Sequence, residues 1–129
     1  MNETERNTYI EWMESMSEYS GNSFDTYQQF AISTAIYKLE NAVIYPALGL
    51  AGETGEVVDK IKKILRDGRE NLPEDWNEQI AKEMGDALWY FANLAHDIGY
   101  SLSEIAAMNV DKLTDRKKRG VLSGSGDNR

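Results

Sequence analysis

The 129-residue chain has no cysteine, only two prolines and a single histidine. Without cysteine there are neither disulfides nor a thiolate metal site, although that absence alone does not decide the redox compartment. No apolar run approaches the roughly 20 residues of a membrane span. The opening residues are acidic and carry no signal-peptide pattern. The expectation is a soluble protein of the cytoplasm, the host's cytoplasm if the chain is viral. Positive charge is also scarce: the formal net charge is −8 and the sequence pI about 4.6. Residues 1–59 hold ten acids and two basic residues, whereas 60–129 hold twelve of each. So acidic a chain is a poor partner for a nucleic acid polymer. It can still bind a small phosphate compound through a metal and a local basic patch.

What the chain does have is helical periodicity. Residues 3–19 form a possible first helix, with Ile10, Met13 and Met16 on its apolar side. Ser20-Gly-Asn-Ser23 is a break. Asp25 is placed to cap a helix from about Thr26 to Leu39. Pro46 fits the first turn of the next helix, which should stop at Gly68. Pro73 should open the longest helix, with Gly99 just past its end. Ser101-Leu-Ser-Glu104 matches a capping box for a last helix reaching about Arg119. The expected class is all-α: four to five helices in a small bundle completed by oligomerisation. Its organisation reads as a helical extension over 1–22, a domain over 23–120 and a flexible polar tail over 121–129.

Two carboxylate pairs stand out, Glu53-Thr-Gly-Glu56 and Glu83-Met-Gly-Asp86. Residues three apart share a helix face. On a helical wheel Glu53, Glu56, Lys60 and Lys63 form one stripe, beside an apolar stripe of Leu50, Val57, Ile61 and Ile64. On the next helix Gln79, Glu83, Asp86, Tyr90, Asn93 and Asp97 run beside Trp76, Ile80, Ala87, Leu88, Phe91, Leu94 and Ile98. Both acid pairs therefore border the core. A short connection favours antiparallel neighbours, which would bring the four acids together. Four like charges need a counter-ion, and hard oxygen donors suit Mg²⁺ or, as a substitute, Mn²⁺. A di-iron bundle would want Glu-x-x-His motifs. The lone His96 has no acid three residues before it and reads as structural. The plainer reading of Glu56 and Lys60 is an ordinary i, i+4 pair on a wet helix face.

Lys112, Arg116 and Arg119 recur at four- and three-residue steps and could grip phosphates beyond the metal. Lys60 and Lys63 extend the first acid stripe and are further candidates for phosphate contact. Lys117 and Lys118 read better as complements of the helix dipole. Trp12, Tyr37, Trp76 and Trp89 could stack on a base, but aromatics on amphipathic helices more often belong to a core. Tyr90 differs, since it follows Asp86 by one turn on the acid stripe.

With these motifs in place, the chain resembles the MazG-type all-α nucleoside triphosphate pyrophosphohydrolases over roughly Asp25 to Gly120. The resemblance rests on Phe24-Asp-Thr-Tyr-Gln28, on Leu48-Gly-Leu-Ala-Gly-Glu-Thr-Gly-Glu56, on Glu83-Met-Gly-Asp-Ala-Leu-Trp-Tyr90 and on Asn109-Val-Asp-Lys-Leu-Thr-Asp-Arg116. Two positions depart from the family's pattern: Gly52 stands where many members add an acid, and Gln79 where some carry a lysine. The resemblance implies Mg²⁺-dependent cleavage of a (deoxy)nucleoside triphosphate between its α and β phosphates. Glu53, Glu56, Glu83 and Asp86 would be the metal ligands, with Glu53 also orienting and deprotonating water. Lys112, Arg116, Lys60 and Tyr90 would contact the nucleotide. It further implies a homodimer or a dimer of dimers. The same fold acting on phosphoribosyl-ATP or a guanosine polyphosphate alarmone is an alternative, and a non-catalytic helical interaction module is another. Base preference is not legible.

Overall fold

A computed structural model describes Thr4 and residues 23–129. The first expected helix and the stacking candidate Trp12 lie outside the described residues, Thr4 excepted. Four α-helices and two short 3₁₀ turns make up the described fold, with no strand among the described residues. We label the helices α1 (Phe24–Ser33), α2 (Ile44–Asp67), α3 (Trp76–Asp97) and α4 (Leu102–Lys118).

Ser23, not Asp25, caps α1: its hydroxyl accepts the Thr26 N–H at 3.1 Å. Asp25 instead accepts the Ser103 N–H at 3.0 Å, at the start of α4. Its carboxylate thus caps a helix 78 residues away, which no local pattern could reveal. Nor does α1 reach Leu39; it ends at Ser33. There the Ser33 and Thr34 hydroxyls turn back onto the carbonyls of Phe30 and Ala31, offering the backbone an alternative to another helical turn. Residues 35–43 then cross to α2 through a 3₁₀ turn, Leu39–Asn41. Val43 closes this crossing in the left-handed region, φ 68°. That conformation is costly for a β-branched residue. Asp97 holds it, accepting the Val43 N–H at 2.8 Å and the Tyr37 hydroxyl at 3.0 Å.

Pro46 sits in the first turn of α2 and Gly68 (φ 85°) ends it, as the sequence indicates. At 24 residues α2 is the longest helix, ahead of α3 with 22. The shortfall in α3 arises because Pro73 opens only a turn, closed by the Trp76 N–H onto its carbonyl, and the helical ladder begins at Trp76. At its other end the Gly99 N–H bonds to His96 and the Tyr100 N–H to Ala95, the paired arrangement expected of a glycine past a helix end. Ser101 and Glu104 form the expected capping box of α4.

α2 and α3 pack as an antiparallel hairpin. Tyr45 meets Tyr90 near one end, and Lys60 meets Glu83 nearer the connecting turn. Behind the hairpin lies a core of small residues: Ala31, Ala92, Ala95 and Leu102, covered by Tyr27, Trp89 and Ile105. Two buried amides lock it. Gln28 donates to the Ala92 and Tyr100 carbonyls and accepts the Leu102 N–H, joining α1, α3 and α4. Asn93, which the wheel assigned to the acid stripe, is buried and donates to the Trp89 and Ala31 carbonyls. The core does not cover every apolar stripe. Val58, Ile61 and Leu65 on α2 and Met84, Leu88 and Phe91 on α3 stay exposed.

Candidate functional site

Carboxylate oxygens of Glu53, Glu83 and Asp86 lie within 4.8 Å of one another across the α2–α3 groove. Helical spacing puts Glu83 and Asp86 on one face of α3, and the antiparallel packing delivers Glu53 opposite them. Glu56, the fourth acid expected here, is exposed and stands outside this trio. Its charge is still felt. The Glu53 carboxyl is held above the ordinary carboxylate range, first by burial and then by repulsion from Asp86, Glu83 and Glu56. Lys60 offsets part of this charge, with its Nζ 3.3 Å from Glu83. The trio consists of hard oxygen donors with negative charge to spare, a set that fits a hard divalent cation.

An open cavity of about 430 Å³ adjoins the trio, lined by Glu53, Asp86, Thr34, Trp89 and Tyr90. Tyr90 therefore does sit beside the acids. Its hydroxyl is pushed up by burial, then by a hydrogen bond with Tyr45, and then by Tyr45, Glu53 and Asp86 electrostatically. Trp89 packs edge-on against Tyr90, centroids 4.9 Å apart, while its indole N–H donates to Thr34 at 2.7 Å. Tyr45 leans on Tyr90 at 6.2 Å and stacks on Tyr37 at 4.9 Å. An aromatic wall of Tyr37, Tyr45, Tyr90 and Trp89 thus runs along one end of the groove. Tyr45 and Thr34 escaped the sequence reading. Tyr45 had a usable signal: it precedes Glu53 by eight residues, with Gly49 between them, on the same helical stripe. Gly49 is needed there, because a Cβ would collide with the Tyr90 ring.

The expected cations divide. Lys60 is at the trio. Lys112 lines a separate cavity with Ile98 and Tyr100, and Ile98 is twelve residues, or about 18 Å of helix, past Asp86. Within one chain Lys112 and Arg116 are occupied elsewhere. Lys112 Nζ is 3.4 Å from the Asp127 carboxylate, and the buried Arg116 donates to the carbonyls of Gly126 and Asp127 and to the Asp127 side chain.

The MazG nucleotide pyrophosphohydrolase domain model matches residues 46–121. The Gene 37 protein of Mycobacterium phage L5 is 42% identical over 112 residues, covering 81% of this chain and 97% of that protein. No solved structure gives a significant match. The segment matched by the family model contains α2, α3 and α4 whole except for the first two residues of α2, and with them the entire acid trio. The chain belongs to the MazG nucleotide pyrophosphohydrolase family.

Proposed function

We propose that this protein hydrolyses (deoxy)nucleoside triphosphates to nucleoside monophosphate and pyrophosphate, acting on the soluble nucleotide pool of the cytoplasm. The convergence of Glu53, Glu83 and Asp86 beside an aromatic-walled cavity carries the reading. These three carboxylates would hold Mg²⁺, or Mn²⁺ in its place, with Glu56 completing the set from the rim. Bound there, the cation supplies charge neutralisation for a triphosphate and for the charge that grows in the transition state.

The remaining work falls to side chains. Glu53, whose carboxyl binds its proton more tightly than an ordinary glutamate, is suited to take a proton from water. The water oxygen bonds to the α phosphorus, the bridging bond between the α and β phosphates breaks, and pyrophosphate leaves with that electron pair. Tyr90 and its aromatic neighbours would contact sugar and base, and Lys60 would meet phosphate charge. Lys112 and Arg116, engaged by Gly126 and Asp127 within one chain, would meet the phosphates if supplied by a second subunit, which suits a homodimer or a dimer of dimers.

The test separates products from a panel of canonical and damaged nucleotides with Mg²⁺. Monophosphate plus pyrophosphate is expected, and diphosphate plus orthophosphate would overturn the reading. Glu53→Gln and Asp86→Asn should each lower kcat by at least about 100-fold, the usual scale for removing an acid–base or charge-stabilising group.

A further inference from the structure

The groove has two unlike ends. The aromatic wall closes one. Towards the α2–α3 turn, a second cavity of about 240 Å³ continues it, lined by Lys60 and Lys63 of α2, Asn71 of the turn, and Trp76 and Gln79 of α3. The Trp76 indole N–H is buried and meets no acceptor among the described residues. Proteins seldom leave a buried donor so, and an exception calls for a reason such as a functional role. The acid in the lining, Asp67, is held by Arg66 through bonds of 2.6 and 2.8 Å, which keep its carboxyl below the ordinary range. The other side-chain donors of the lining are shared: Lys63 Nζ meets the Asp59 carboxylate at 2.7 Å, Asn71 donates to the Asp67 carbonyl and Gln79 to Asp75, which leaves the indole N–H as the donor without a partner among the described residues. Lys60 joins this cavity to the acid trio, since it lines the one and pairs with Glu83 of the other. Lys63 lies ten residues past Glu53, about 15 Å along α2 and within side-chain reach of the space between.

We propose that this cavity receives the distal phosphates of the substrate, those that leave as pyrophosphate, with Lys63 and the Trp76 indole N–H as its contacts. This rests on the pyrophosphohydrolase reading and gives the groove a direction, with the base against Tyr90 and the leaving group towards the turn. It needs no second subunit; Lys63 would exchange its solvent-accessible ion pair with Asp59 for the phosphate.

Calorimetric titration of the full chain with inorganic pyrophosphate and Mg²⁺ tests it. Lys63→Gln should weaken binding about tenfold and Trp76→Phe about threefold, the range for losing a charged and a neutral hydrogen bond. Lys117→Gln, which removes an exposed charge elsewhere, should leave it unchanged, and affinity for nucleoside monophosphate should not move in any of the three. Folding of each variant is checked by circular dichroism. A second readout uses Trp12→Phe with Trp89→Phe, which leaves Trp76 as the sole tryptophan; its emission should change on adding pyrophosphate. Unchanged emission, unaltered pyrophosphate affinity in folded Lys63→Gln, or an equal loss for monophosphate would overturn the assignment. If pyrophosphate binds through Lys63 but no triphosphate is cleaved, the cavity stands and the catalytic reading fails. If cleavage occurs and Lys63→Gln binds pyrophosphate like wild type, the reaction stands and the cavity assignment fails.

Discussion

Glu53 carries an electrostatic load that Lys60, paired with Glu83, relieves only in part. Burial and three neighbouring acids raise its proton affinity above that of the unfolded chain. A carboxyl raised in this way contributes stability below its ordinary value, and that contribution is lost as pH rises through the folded value. As far as this site is concerned, metal-free protein should therefore melt at lower temperature at pH 7 than below the ordinary carboxylate value of 4.5, and Glu53→Gln should flatten that difference. Added Mg²⁺ should raise Tm in the wild type and much less in Glu53→Gln, which differential scanning calorimetry can follow. Equal Mg²⁺ responses in the two proteins would contradict a metal site at the trio. Gly49 is a second decisive residue, through its contact with Tyr90. Gly49→Ala should cost about 1–3 kcal/mol by overpacking. It should also displace Tyr90 and raise KM for the nucleotide.

At the scale of elements, the connection between α1 and α2 depends on one carboxylate. Asp97 accepts from the Tyr37 hydroxyl and from the N–H of Val43, whose left-handed backbone resists that position. Tyr37 is pushed well above the ordinary phenol range, by burial first and then by Asp97. Asp97→Ala should release both groups, increase hydrogen exchange across residues 35–43, and raise KM more than it lowers kcat, because the Tyr37–Tyr45 stack loses its anchor while the acid trio is untouched. Gln28 plays the corresponding part for the helices. Gln28→Ala leaves two carbonyls and an N–H without their partner and should destabilise the fold by about 1–3 kcal/mol in chemical denaturation.

For the molecule as a whole, the apolar surface of the hairpin exceeds what one chain covers. Met84, Leu88 and Phe91 recur at i, i+4 and i+7 on α3, and Val58, Ile61 and Leu65 at i, i+3 and i+7 on α2, all exposed. Such stripes are the usual mark of a face buried against another helix. The proposed homodimer would cover them. Leu88→Lys should then shift the sedimentation of the protein towards monomer. If Lys112 and Arg116 come from the partner, activity should fall with the dimer. A protein that sediments as a monomer at assay concentration and is fully active would exclude that arrangement.

Helical periodicity, the stop at Gly68, the glycine past α3 and the capping box of α4 were all legible in the chain, because each depends on residues within one or two turns of each other. So were the acid stripes themselves, since three-residue spacing and the border with apolar residues are local properties. The partners that lie far apart in sequence were not legible. Asp25 caps α4 rather than its own helix, Asn93 and Asp97 serve the core and the crossing rather than the acid stripe, and α1 stops where two hydroxyls reclaim its carbonyls. The sequence by itself determined an acidic all-α chain, two carboxylate pairs on consecutive helices and the family to which they belong. Only the tertiary structure decided which acids meet. Antiparallel packing rotates Glu53, Glu83 and Asp86 into one groove and leaves Glu56 on its rim. That packing also sets Tyr45 against Tyr90, leaves Lys60 as the trio's cation, and places Lys112 and Arg116 beside Asp127. Helix pitch fixes which side chains share a face, whereas the relative rotation of two packed helices, set by contacts far apart in sequence, fixes which faces meet.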